Sequence, residues 1–119
     1  MSLVDNLTWL IDIRSVTGEE EALCTAVARR LSPQYGAAAI TRIGNALVVG
    51  TPDGRPQITL YGHLDTVPEQ GNLPARIADG RVHGLGASDM KSGVAVQLAL
   101  LEDDEVRNGP YAVTGVFYD

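Results

Sequence analysis

The sequence predicts an α/β fold, a mixed sheet flanked by helices, and three observations carry that prediction. Ile58-Thr59-Leu60-Tyr61 and Ala112-Val113-Thr114-Gly115-Val116-Phe117-Tyr118 are strand-type runs rich in β-branched and aromatic residues. Between them, Val94-Ala95-Val96-Gln97-Leu98-Ala99-Leu100-Leu101 is apolar on nearly all sides, the pattern of a helix packed in an interior. The first of the two strands runs straight into Gly62-His63, and open α/β sheets place their chemistry at such carboxyl ends. Strand, polar loop, buried helix and strand again make a βαβ-type unit.

The remaining elements follow in order. Ser2 with Asp5 three residues on marks a helix start, and Leu3, Leu7, Leu10 and Ile11 repeat at helical spacing to about Ile13. Arg14-Ser15-Val16 is a short link. Thr17-Gly18-Glu19-Glu20 reads as a second capping box, its acidic run Glu19-Glu20-Glu21 as a solvated first turn. Leu23, Ala26, Val27 and Leu31 form that helix's face, and Ser32-Pro33 is expected to end it. Ala39–Ile43 and Ala46–Val49 alternate as strands about a Gly44-Asn45 turn and read as consecutive sheet neighbours; Pro52-Asp53-Gly54 makes another turn and Ile58–Tyr61 a third strand. Ala75 to His83 is a hairpin turning at Asp79-Gly80. The near-continuous apolar character of Ala112–Tyr118 predicts a central strand covered on both faces.

Composition narrows the function classes. With 9 basic and 15 acidic residues in 119, the formal charge is −6, and the scattered arginines form no stripe for a nucleic-acid backbone. The 45% hydrophobic content supports a core and one domain. The single cysteine, Cys24, sits in a helical pattern beside Leu23 and reads as a core thiol. The opening residues have no signal-peptide character, no apolar run is long enough to span a bilayer, and Asn6-Leu7-Thr8 reads as an accidental sequon. A cytoplasmic protein is expected.

The chemistry-bearing residues fall in two stretches. In extended chain, residues two apart point to the same side, which brings Asp65 toward His63, and a metal-bound imidazole commonly donates its other N–H to a carboxylate. Gly62 is expected to let the backbone bend there, and Pro68 to stiffen the exit. Asp89 follows Gly84-Leu85-Gly86 at the start of the apolar helix. Read alone it is equally an N-cap; beside an imidazole-bearing loop it is a carboxylate able to bridge two zinc ions. The glycines have a phosphate-loop look but complete neither a dinucleotide nor a Walker pattern. Ser88-Asp89-Met90-Lys91 also satisfies Ser-x-x-Lys, a serine-nucleophile pattern whose companions Ser-Asp-Asn and Lys-Thr-Gly do not occur in this chain.

Together, Gly62-His63-Leu64-Asp65-Thr66-Val67-Pro68 and Gly84-Leu85-Gly86-Ala87-Ser88-Asp89-Met90-Lys91 resemble the paired signature of the co-catalytic zinc amidohydrolase and peptidase family. That family includes succinyl-diaminopimelate desuccinylases, acetylornithine deacetylases, aminoacylases and glutamate carboxypeptidases. The resemblance spans essentially the whole chain, and the short spacing and the Val-Phe-Tyr-Asp ending look most like the actinobacterial desuccinylases. It implies that His63 binds one zinc, Asp89 bridges two, and Asp65 is the catalytic-site carboxylate that orients His63. It further implies a cis Asp89-Met90 bond, two zinc ions replaceable by cobalt or manganese, and a small N-acyl amino acid as substrate, foremost N-succinyl-diaminopimelate of lysine biosynthesis. Ser92 stands where a glycine is frequent, and His83, where an aromatic is common, reads as structural.

By the same resemblance a Glu-Glu pair supplying the general base and a further ligand follows the strand Ala112–Tyr118, and the chain stops at Asp119. Residues 1–119 are therefore expected to be the N-terminal segment of a catalytic domain, without the inserted dimerisation domain of a homodimeric parent or the C-terminal catalytic segment. Such a chain is expected to be inactive alone. The alternatives are another deacylase, dipeptidase or carboxypeptidase of the family, or a non-catalytic α/β binding or assembly module.

Overall fold

The computed structural model describes residues 2–119. In chain order they form α1 (Leu3–Asp12), α2 (Glu21–Tyr35), a 3-10 turn (Ala37–Ala39), β1 (Ile40–Ile43), β2 (Ala46–Val49), β3 (Gln57–His63), β4 (Arg76–Ala78), β5 (Arg81–His83), α3 (Ser92–Glu102), α4 (Asp104–Arg107) and β6 (Ala112–Tyr118). An irregular turn, Ala87–Lys91, leads into α3.

Local chemistry sets most boundaries. Ser2 caps α1 in a full capping box, its hydroxyl accepting from the Asp5 amide while the Asp5 carboxylate accepts from the Ser2 amide. The predicted second box does not form. Thr17 turns its side chain elsewhere, and Glu20, expected in solvent, is buried with its carboxylate accepting the Gly18 amide at 2.6 Å. Pro33 does not end α2 either. Termination falls instead at Gly36, whose φ of 72° is open to glycine and whose amide closes on the Ser32 carbonyl. The β4–β5 hairpin turns at Asp79 and Gly80, both at positive φ, the type I′ geometry that fits the twist of the strands.

The main sheet has the order β1-β2-β6-β3, with β3 parallel to β6 and the other pairs antiparallel. β1 and β2 are the sheet neighbours the sequence predicts, and β6 inserts between β2 and β3 as an interior strand. The predicted α/β class with a mixed sheet and flanking helices is the class found. Its core is one cluster in which Leu23, Cys24, Val27 and Leu31 of α2 and Val94, Leu98 and Leu101 of α3 meet Leu47, Val49 and Phe117 of the sheet. Burial pushes the Cys24 thiol up, as an inert core position requires.

Two burial expectations need correcting. Val96 and Leu100 are exposed, so α3 presents an outer side to solvent. Among the described residues, helices cover only the sheet face of Leu47, Gly115 and Phe117; on the opposite face Val48 and Tyr61 stand exposed, and Thr114 is shielded by the side chains of Gln57 and Thr59. Asn6 of the sequon is buried, its amide on the Ala95 carbonyl. No helix among the described residues is long and apolar enough to cross a membrane.

Candidate metal centre

β3 carries His63 as its last residue, in register with Tyr118 of β6, and the ladder closes with the Leu64 amide on the Tyr118 carbonyl at 2.7 Å. Gly62 serves close approach rather than a bend. A Cβ there would lie 2.6 Å from Gln97 Oε1 and 3.1 Å from Val94 Cγ2, and the residue is absent from the positive-φ glycines. Without that side chain, β3 lies directly on α3, which places the strand end beside the turn bearing Asp89.

The three residues singled out from the sequence meet at one imidazole. His63 Nδ1 lies 3.0 Å from the Asp65 carbonyl oxygen and 3.1 Å from Asp65 Oδ1, and Nε2 lies 2.9 Å from Asp89 Oδ1. Nδ1 therefore faces two acceptors and carries the proton. Nε2 then directs its lone pair at a carboxylate oxygen, and two electron-rich atoms at that distance call for a cation between them, a proton or a metal. That donor set fits a divalent metal, with the Asp89 side chain 87% exposed. Among the described residues no group of three or more His, Cys, Asp or Glu is placed to hold an ion, so His63 and Asp89 form a two-donor set.

Asp89 is not the N-cap of α3. It sits with extended φ and ψ inside the Ala87–Lys91 turn, and its bond to Met90 is cis, as the resemblance implied. The glycines before it pack rather than cradle phosphate. A Cβ on Gly84 would meet Ile11 at 2.6 Å, and one on Gly86, at φ 76°, would meet Thr66 Cγ2 at 2.7 Å. The Ser-x-x-Lys reading is contradicted. Lys91 is buried, and its ammonium donates to the Leu10 and Ile13 carbonyls at the end of α1, at 2.7 and 2.9 Å, leaving it no role as a base for Ser88. Burial in that carbonyl-lined site lowers the Lys91 pKa to about 8.

A cavity of about 330 Å³ opens on the cluster, lined by His63, Asp65, Asn72, Gly86 and Asp89 among others. It shares Asn72, Gly84, Ala87 and Ser88 with a larger groove of about 720 Å³ that runs along the β4–β5 hairpin. His83, read as structural, is exposed on β5 opposite Arg76, and both line that groove. Sequence reasoning missed Lys91 and Gly62 as parts of the site's frame. The buried-helix pattern after Lys91 was the available signal, because a lysine at the foot of an interior helix needs carbonyl partners.

Residues 59–117 match the family described as Peptidase family M20/M25/M40, and the chain belongs to that family. It is 42% identical over 111 residues to the putative succinyl-diaminopimelate desuccinylase DapE of Mycobacterium tuberculosis, covering 92% of this chain and 31% of that protein. It is 37% identical over 91 residues to the succinyl-diaminopimelate desuccinylase of Corynebacterium glutamicum, covering 75% of this chain and 25% of that one. A putative LysW-lysine/LysW-ornithine hydrolase of Aeropyrum pernix is 37% identical over 89 residues, again with 75% and 25% covered. Among solved structures, aminopeptidase PepT of Bacillus cereus superposes with a TM-score of 0.76 at 22% identity, over 97% of this chain and 35% of that one, a likeness of fold. The chain spans less than a third of the length of these curated relatives.

Proposed function

We propose that this chain supplies one wall of the active site of a metal-dependent amidohydrolase that removes an N-acyl group from a small amino acid, with N-succinyl-diaminopimelate as substrate. The observation that carries it is the imidazole of His63 held at a parallel strand end, with Nδ1 3.0 and 3.1 Å from two oxygens of Asp65 and Nε2 2.9 Å from Asp89 Oδ1. The desuccinylase relatives at 42% and 37% identity support the choice of acyl group.

In this reading His63 Nε2 and Asp89 would hold zinc, with cobalt or manganese as substitutes. Lewis-acid polarisation of an amide carbonyl and acidification of water are what a metal bound there would supply. Asp65 keeps the proton on Nδ1 and so keeps Nε2 available as a donor. The 330 Å³ cavity admits the scissile amide beside this pair, and the groove along the hairpin offers room for the rest of a small substrate. Structural zinc sites use four ligands and catalytic ones three with water, so we place the remaining ligands, the general base and a dimerisation domain in sequence outside these 119 residues. The 119-residue chain alone is then silent in catalysis.

The test is made on a full-length parent. His63→Ala and Asp89→Ala are expected to remove both amide hydrolysis and bound zinc. Competition among N-succinyl-diaminopimelate, acetylornithine and simple acylamino acids identifies the acyl group. Full zinc content and activity in both variants would refute the assignment.

A further inference from the structure

The link between α1 and α2 runs parallel to the segment that leaves β3. The Thr66 amide donates to the Ser15 carbonyl and the Thr17 amide to the Thr66 carbonyl, both at 2.9 Å, and the buried Ser15 hydroxyl donates to the Leu64 carbonyl at 2.7 Å. This pairing sets the Thr17 hydroxyl 3.0 Å from Asp65 Oδ2 and 3.1 Å from the Thr66 carbonyl oxygen. One hydroxyl proton cannot serve both fully. The Thr66 oxygen already receives the Thr17 amide, whereas Asp65 Oδ2 has no other partner among the described residues, and a bond to an ionised oxygen is the stronger.

The two oxygens of Asp65 are thus held from opposite sides, Oδ2 by Thr17 and Oδ1 by His63 Nδ1 at 3.1 Å. A carboxylate held at one oxygen can still rotate; held at both, its plane is fixed. We infer that Thr17 is a positioning residue of the metal centre: it locks the Asp65 carboxylate and thereby keeps the proton of His63 on Nδ1 and the lone pair on Nε2. The hydroxyl that the sequence pattern assigned to capping α2 is spent here instead. This inference rests on His63 being a metal ligand, and it extends the frame of the centre to an element that bears no ligand.

The test uses the ¹⁵N-labelled 119-residue chain at one neutral pH, where His63 and His83 are the two histidines. The readouts are the His63 ring nitrogen signals and the affinity for Zn²⁺ by calorimetry. Wild type and Thr17→Ser are expected to show a protected Nδ1–H on His63 and to bind Zn²⁺ equally. Thr17→Val, which keeps the shape and removes the hydroxyl, is expected to lose that protected proton and to bind Zn²⁺ about tenfold more weakly, at the low end of the loss for partners that orient a ligand. Thr17→Val with an unchanged Nδ1–H signal and unchanged affinity overturns the inference. Should Thr17→Val fail to fold, Asp65→Asn with and without Thr17→Ala decides the matter, since the two changes must be non-additive in affinity if Thr17 acts through Asp65. If wild type shows no Zn²⁺ response at His63, two donors alone are too few to hold the ion, the metal reading is left to the variants of the full-length parent, and the Nδ1–H signal decides by itself whether Thr17 orients Asp65.

Discussion

Replacing Gly62 by alanine should destabilise the chain by about 2 kcal/mol, although it adds one methyl group. The new Cβ would lie 2.6 Å from Gln97 Oε1 and has to gain about 0.8 Å to reach ordinary contact. Gln97 is a poor candidate to yield. It is buried, and its amide nitrogen bridges the Leu60 and Val116 carbonyls of adjacent strands at 2.9 and 3.1 Å. A retreat of that size carries both bonds to the limit of hydrogen-bond geometry, a loss of roughly 1 kcal/mol each, and overpacking of Val94 adds on the order of 1 kcal/mol. The reduced freedom of the unfolded alanine chain offsets about 0.5–1 kcal/mol. Urea denaturation would show a lower midpoint at unchanged slope. A loss under about 0.5 kcal/mol would refute the account. So would a Gly62→Ala/Gln97→Ala double variant as unstable as the sum of the singles, because deleting Gln97 removes the clash.

Gly93 supplies the contrast. A Cβ there would meet only Met90 Cε, at 2.7 Å, the end of a flexible side chain, so Gly93→Ala should be neutral to stabilising by about 0.5 kcal/mol in the same denaturation assay. For Lys91, burial lowers the pKa from 10.5 to about 8. Between those values the unfolded chain holds a proton the folded chain has released, so stability should rise with pH from about 8 toward 10.5, by on the order of 2 kcal/mol. Lys91→Met should flatten that slope, and a wild-type stability that falls across the window would contradict the assignment. Arg30 joins three helices, stacking on Trp9 at 4.7 Å, donating to Asn6 at 2.6 Å and forking onto Glu102 at 2.7 and 3.0 Å. Arg30→Ala should therefore cost about 2 kcal/mol, with coupling to Glu102→Ala measurable in a double-mutant cycle. Ser88→Ala should leave zinc-dependent hydrolysis by a full-length parent intact, since Lys91 is committed to the end of α1.

What the sequence made legible was local. The Ser2/Asp5 box, the Asp79-Gly80 turn and the apolar faces of α1 and α2 are written in residues close in sequence, and the structure follows them except at Leu3, which is exposed. The Thr17 box failed because its pattern competes with a partner 48 residues away, Asp65, which no short-range rule contains. Pro33 was overread, since a proline disturbs the turn before it, through its missing N–H and the i−4 carbonyl, and leaves the residues after it free to stay helical. The place of β6 between β2 and β3 is likewise a long-range choice, made where a strand fit for burial pairs on both sides. At the site, spacing and family resemblance selected His63, Asp65 and Asp89, and the structure brings them together around one ring. The glutamine under Gly62 and the lysine under α1 stayed hidden because their roles are defined by packing neighbours.

The insertion of β6 also dictates an order of events. β1 and β2 close on each other through a two-residue turn, whereas Gln57 of β3 pairs with Ala112, 55 residues later, and β6 is the strand that β3 pairs with in this sheet. Closing so long a loop is entropically costly and slow beside a hairpin. As the chain leaves the ribosome, the strand carrying His63 must wait, unpaired and rich in β-forming residues, until α3 and the final strand have emerged. The imidazole cluster is therefore set late in folding, and the interval before β6 arrives is when this chain is most exposed to pairing with the wrong edge.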